Sequence, residues 1–387
     1  MPDRPLTVLQ LLPALHGGGV ERGTLEVAAE LVRRGHRALV VSAGGRLVEA
    51  LTAAGAEHYE WPIGVKSPGT LRWVPRLRRL LQRERVDILH VRSRLPAWIG
   101  WLAWRGMDPR TRPRFVTTVH GLYSVNAYSA VMTRGERIIA VSEAARDYLL
   151  ANYRVAPERI RVIPRGVDRR AWPYGYRPPP AWLAEWRERL PELARRRVLT
   201  LPGRLTRLKG HEDFLELIAR LRRDGLEVHG LIVGGADGRR GAYAAGLARA
   251  IRDRGLDNAV TLLGHRADVR EVCAVADLVV SLSQRPESFG RTVLEALSLG
   301  VPVAGYDRGG VGEILARVYP AGRVPVGDTT ALALIVRDLL EAPVPVPREH
   351  PFTLERMLDD TLALYECDRC PVQAGRTGVA GGGLPHP

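Results

Sequence analysis

The stretch LVVSLSQRPESFGRTVLEALSLGVPVAG, residues 278–305, decides the fold. Leu278–Leu282 is an apolar run of strand length, broken only by Ser281. Gln284–Gly290 has the proline, serine and glycine of a loop. Arg291–Leu299 reads as a helix, and Pro302–Gly305 is a short apolar strand again. Strand, loop, helix and strand in immediate succession predict a parallel α/β sheet. The same corner holds two carboxylates, Glu287 in the loop and Glu295 in the helix. It does so in a chain with 57 basic and 42 acidic residues.

The alternation extends in both directions. Towards the N-terminus, strands are expected at Leu6–Leu12, Arg37–Ser42, Ile88–Val91, Arg114–Val119, Ile138–Val141 and Ile160–Ile163, with helices at Val20–Arg34 and Glu143–Asn152. The proline- and aromatic-rich run AWPYGYRPPPAW breaks the rhythm, and residues 169–196 read as a linker. The pattern resumes with strands at Val198–Pro202, Glu227–Val233 and Ala259–Leu263. Helices follow at His211–Arg223, Ala242–Arg254, Val269–Ala276 and Thr329–Glu341. The expected architecture is two Rossmann-like, doubly wound α/β domains, residues 1–168 and 197–350, facing across a cleft. A C-terminal helix within 351–370 is expected to pack back on the first domain, and residues 371–387 to be a disordered tail.

Composition narrows the function. With 45% apolar and 26% charged residues over 387 positions, the chain is an ordinary globular protein. It shows neither a secretory leader nor a membrane-length apolar run, and three cysteines are too few for a disulfide framework. A cytoplasmic protein is expected. The formal charge is +15, but only Lys66 and Lys209 are lysines, so the arginine excess looks compositional. No zinc-finger or RNA-binding signature is present, which argues against nucleic acid. Phosphate-bearing small molecules and anionic membrane are the better partners. Arg72–Arg85 supports the latter: Trp73, Val74, Leu77, Leu80 and Leu81 share one helical face beside Arg72, Arg76, Arg79 and Arg83. That pattern fits lipid contact or a surface helix with its stripe in the core.

GRLTRLKGHEDF, residues 203–214, follows a strand and opens a helix. Arg204 and Lys209 beside a helix N-terminus suit a diphosphate. Glu295, an acceptor facing the same sheet end, suits the two hydroxyls of a ribose, and Glu287 suits a sugar hydroxyl. Ser288, Phe289 and Gly290 can offer backbone N–H groups to phosphate. HGGGVERG, residues 16–23, is not a dinucleotide fingerprint, because Arg22 stands where the third glycine belongs. His120, at the end of a strand and before Gly121, is a candidate for substrate contact. No Asp-X-Asp occurs, so neither metal nor other cofactor is expected. Cys367 and Cys370 form a lone pair without a second, and read as free thiols.

Together these stretches resemble the retaining, GT-B-fold glycosyltransferases of family 4. LLPALHGGGVERG, FVTTVHG, IIAVSEAARDYL, RVIPRGVD, GRLTRLKG, ESFGRTVLE and GVPVAGYDRGGVGEIL carry the likeness. The resemblance implies that Arg204 and Lys209 bind the donor diphosphate, that Glu295 holds the ribose and that Glu287 contacts the donor sugar. It also implies that Gly17, Gly18 and Gly19 bring backbone close to the donor phosphate or the acceptor. Arg165 is a departure, standing where the family usually has asparagine. The expectation is a hexosyltransferase carrying sugar from a nucleoside-diphosphate donor, UDP preferred, to a saccharide or lipid-linked acceptor in envelope polysaccharide or lipopolysaccharide synthesis. A nucleotide-sugar epimerase of the same fold and a non-catalytic sugar-binding protein are the alternatives.

Overall fold

The computed structural model describes residues 4–235 and 241–367. Its core is two all-parallel sheets. The first contains β1 (Thr7–Leu11), β2 (Arg37–Ser42), β3 (Glu57–Glu60), β4 (Ile88–Val91), β5 (Arg114–Val119), β6 (Arg137–Ala140) and β7 (Ile160–Val162), in the order β3-β2-β1-β4-β5-β6-β7. The second contains β8 (Arg197–Pro202), β9 (Val228–Val233), β10 (Val260–Gly264), β11 (Leu278–Ser281), β12 (Val303–Tyr306) and β13 (Arg323–Val324), in the order β10-β9-β8-β11-β12-β13. Central strands such as β4 and β12 are buried along their whole length, because helices cover both faces of a parallel sheet.

Two strands escape the sequence reading for a physical reason. β3 is EHYE, with both ends exposed. As an edge strand it needs no apolar alternation, and the Arg37–Glu57 ion pair joins it to β2. β13 is only two residues long.

The expected linker is not bare chain. Pro180–Arg189 is a helix, started by proline at its first position. Trp186 packs with Leu193, Val198 and Leu231 against the second domain. The helix Trp73–Arg83 buries Trp73, Leu77, Leu80 and Leu81, so its apolar stripe belongs to the core, while Arg76, Arg79 and Arg83 are exposed. The last helix, Leu354–Cys367, returns to the first domain. There Met357, Leu358, Leu362 and Tyr365 join Leu6, Val8, Leu31 and Val116 in one cluster. Each such buried side chain contributes about 1.5–3 kcal/mol. Cys370 and residues 371–387 lie outside the described residues. No helix among the described residues is long and apolar enough to cross a membrane.

Candidate active site

Each sheet reverses its strand order once, between β1 and β4 and between β8 and β11. At such a switch point the flanking loops diverge and leave a crevice at the strand ends. The segments singled out in the sequence leave from these points. Gly17–Gly19 follow β1, Arg204 and Lys209 follow β8, and Glu287 to Gly290 follow β11.

Gly17 has φ +133, in the left-handed region that disfavours a side chain. Gly18 caps the helix Gly19–Arg33 without any side-chain bond, so the first-turn N–H groups remain available. All three glycines line a cleft of about 590 Å³ whose other wall includes Arg204 and Glu295. The cleft lining also carries Arg22, Arg46, Arg266, Arg270 and Arg291, against Glu295 as the lone carboxylate among the described residues. Asp268 pairs with Arg266 and Glu271 with Arg270, while Arg46 donates to the His16 carbonyl. The side chains of Arg22 and Arg204 are exposed and make no hydrogen bond or ion pair with any described residue. They are the cations left for an anionic ligand. Each contact at about 4 Å is worth roughly 4 kcal/mol before desolvation, at an effective dielectric near 20. A larger hollow of about 750 Å³, lined by Arg207, Asp213, Tyr243 and Gln284, holds none of the site residues expected from the sequence.

Lys209 and Glu287, far apart in sequence, meet because β8 and β11 are neighbours. Gly210, at φ +72, lets the backbone reach Leu282, where a side chain would meet the carbonyl oxygen. Gln284 N–H then donates to Leu208 O at 2.8 Å. Lys209 Nζ lies 2.6 Å from Glu287 Oε1, and Ser283 Oγ donates to the same oxygen. Glu295 is 8% exposed. Burial raises its carboxyl above the ordinary range, and Arg291, with Nε at 2.9 Å, opposes that rise. The sequence reading kept cations for phosphate and carboxylates for hydroxyls. In the structure each carboxylate holds a cation instead, as partly desolvated charges require.

The β11 loop also ties the domains together. Ser288 Oγ donates to His120 O at 2.7 Å, and Ser142 Oγ donates to Ser288 O at 2.6 Å. Phe289 turns its ring into the core against Phe352, so it offers a ligand only backbone. Gly290 caps the helix Arg291–Ser298. His120 is not in the lining of the 590 Å³ cleft. Its Nδ1 lies 2.8 Å from Arg165 Nη2, and its Nε2 is buried without a partner among the described residues.

Sequence reasoning missed Arg22, Arg291, Arg92 and Arg165 as site residues. Arg291 carried a signal, since a cation four residues before Glu295 shares its helix face. Arg92 and Arg165 carried none, because only the sheet order brings the ends of β4, β5 and β7 together.

The family described as "Glycosyltransferase Family 4" matches residues 17–171, and "Glycosyl transferases group 1" matches residues 184–351. The chain is a group 1 glycosyltransferase with the GT-B fold. The transferase is 25% identical over 337 residues to "N-acetyl-alpha-D-glucosaminyl L-malate synthase" of Bacillus anthracis, covering 83% of this chain and 84% of that one. It is 30% identical over 253 residues to "D-inositol 3-phosphate glycosyltransferase" of Gordonia bronchialis, covering 59% of this chain and about half, 53%, of that relative. Among solved structures, a glycosyltransferase from Rickettsia africae superposes with TM-score 0.81 at 29% identity, covering 93% of this chain and 98% of the other. Anabaena Alr3699/HepE in complex with UDP and glucose shares the fold, with TM-score 0.73, 22% identity, and 93% and 94% coverage.

Proposed function

We propose that this transferase moves a hexosyl group, with retention, from a UDP-sugar to a saccharide or lipid-linked acceptor of the cell envelope. The observation that carries the donor half is the arginine-lined cleft between two switch points, where Arg22 and Arg204 have no hydrogen-bond or ion-pair partner among the described residues and Glu295 lies on the second-domain wall. As the glycosidic bond breaks, negative charge grows on the leaving diphosphate. Arg204, Lys209 and the backbone N–H groups near Gly290 stabilise that charge, which lowers the barrier. Lys209 turns from Glu287 to phosphate, freeing the carboxylate for a sugar hydroxyl. Glu295 accepts from the ribose hydroxyls. This arrangement uses protein cations for the task often given to a metal, so the proposal includes metal independence. The choice of UDP is supported by the Anabaena structure, a complex with UDP and glucose.

The acceptor is proposed from the first domain. Arg72 and Arg76 flank the Trp73 ring at 5.1 and 5.0 Å, and Arg79 and Arg83 are exposed on the same helix. That basic face supports peripheral contact with anionic lipid by charge. A second reading, an acidic small-molecule acceptor, is favoured by the L-malate and inositol 3-phosphate in the relatives' names.

The test is release of nucleoside diphosphate from a panel of UDP-, GDP- and ADP-sugars, with and without acceptor, in EDTA. UDP release that needs an acceptor and survives EDTA is expected. Conversion of donor without acceptor would favour an epimerase, and turnover restored only by magnesium or manganese would end the metal-free reading. Comparing lipid-linked saccharides with malate and inositol phosphate separates the two acceptor classes.

A further inference from the structure

His120 ends β5 with one ring nitrogen satisfied and the other not. Nδ1 lies 2.8 Å from Arg165 Nη2. Nε2 is shut from solvent and has no hydrogen-bond partner among the described residues. A guanidinium has five N–H donors and no acceptor. The bond therefore runs one way: Arg165 donates, Nδ1 accepts, and the ring hydrogen is left on Nε2. A buried N–H without a partner is costly. It is tolerated where an acceptor arrives with substrate.

We propose that Arg165 is a positioning residue: it locks His120 as the Nε2–H tautomer, so that the transferase presents a fixed hydrogen-bond donor to an oxygen of its sugar substrate. The substrate half rests on the function proposed above, and the tautomer half does not.

The surroundings agree from every side. Arg165 comes from the loop after β7, His90 from β4, and Arg92 from the turn beyond it, and all three act on the ring by charge. Tyr123, from the loop after β5, bonds the His120 backbone. Glu26 and Arg291 act on Arg165 in opposite directions. Burial first, then Arg165 and Arg92, holds the imidazole neutral well below its ordinary range. Burial and Arg92 bring Arg165 down to about 9, which still leaves it cationic and donor-only at neutral pH. The Arg165 guanidinium lies against Gly23 of the first helix, and Nη2 also reaches Gly19 O at 3.4 Å. An asparagine, the residue usual here in family 4, is shorter, and its amide can donate or accept. It would not dictate the tautomer as a guanidinium does.

The experiment is nitrogen NMR of the full chain labelled with ¹⁵N-histidine, with His120 assigned by its loss in His120→Gln. In the wild type we expect hydrogen on Nε2, a bare Nδ1 and no titration from about pH 8 to about pH 6, across the ordinary histidine range. In Arg165→Met and Arg165→Asn the ring should show mixed tautomers and titrate at higher pH. Arg165→Lys, also donor-only, should restore the wild-type signals. Turnover should fall about tenfold in Arg165→Met, the factor for one lost hydrogen bond, with UDP affinity within about twofold and partial recovery in Arg165→Lys. Retained UDP affinity shows that a variant is folded. A wild-type ring with its hydrogen on Nδ1, or unchanged ring signals in both Arg165→Met and Arg165→Asn, overturns the proposal. Altered ring signals with undiminished turnover overturn its substrate half. Failure of every nucleotide sugar to turn over would strike the proposed function instead, and the ring signals would still decide the tautomer.

Discussion

The two domains treat charge differently. On the second-domain side two cations are held by carboxylates, Lys209 by Glu287 and Arg291 by Glu295, while Arg204 has no such partner among the described residues. In the first domain, outside the cleft lining, His90, Arg92, His120 and Arg165 gather at the strand ends with no carboxylate bonded to any of them among the described residues. Arg92 is 3% exposed, with Nε and Nη1 unpaired. A paired cluster can exchange partners when a charged ligand arrives, since each pair releases one cation for phosphate and one carboxylate for a hydroxyl. An unpaired, buried cluster cannot exchange anything. It works by holding hydrogens in fixed places. On the proposed function, the donor's charge falls to Arg204 and Lys209 with Arg22 opposite them, and orientation of neutral oxygens to the first domain.

The sharpest way to break this contrast is at Lys209. Lys209→Ala removes the phosphate cation and leaves Glu287, 25% exposed, without its partner. Turnover should fall by about 10²–10³, the usual cost of one donor to a developing anion. Lys209→Arg keeps the charge but replaces a compact ammonium with a planar fork, and a smaller loss is expected. Steady-state kinetics in which both variants match the wild type would make the Lys209–Glu287 pair a structural clasp.

Glu295 gives the next largest effect, on binding. Glu295→Ala should weaken UDP by about 1.5–3 kcal/mol, the range for a charged hydrogen bond. Acid should mimic the mutation. Burial raises the Glu295 carboxyl above 4.5, so it takes up its proton before an ordinary glutamate as pH falls and then loses acceptor capacity. Calorimetry should show wild-type affinity declining from above that value, with Glu295→Gln lacking this limb. Equal UDP affinity in Glu295→Ala would remove the ribose role.

How much of this was legible in the chain follows the same division. The second-domain wall is local: Arg204 and Lys209 share one loop, and Glu287 and Glu295 share one strand–helix corner. Runs of a few residues carried their chemistry, including the bounds of helices such as His211–Arg223 and Glu143–Asn152. The first-domain cluster is assembled across the sheet from the ends of β4, β5 and β7, and no local pattern announces such a meeting. Arg165 was visible only as a departure from RVIPNGVD, with no sign that it bonds a histidine. For the same reason β3, whose edge position excuses its polar sequence, escaped the strand pattern, and the helix Pro180–Arg189 was hidden under prolines that suggested a linker.

The smallest effect tests whether the buried cluster is scaffold beneath His120 or part of the chemistry. Tyr365, on the last helix, is fully buried, and its hydroxyl lies 2.6 Å from His90 Nδ1. His90 Nε2 lies 2.6 Å from Thr118 Oγ1, two residues before His120. If the hydroxyl donates to Nδ1, His90 donates through Nε2, and the neutral ring joins the C-terminal helix to β5. Burial holds His90 well below 6.5. The unfolded chain therefore takes up a proton below about 6.5 that the folded protein refuses, and stability is lost as pH falls through that range. Tyr365→Phe keeps the packing and deletes the bond. It should cost on the order of 1 kcal/mol, read as a drop of about 2–4 °C in Tm for domains of this size, with kcat at 25 °C unchanged. A variant with wild-type Tm and reduced kcat would reverse the assignment: the link through His90 would then tune the ring of His120, and the first-domain cluster would act in catalysis from outside the cleft lining.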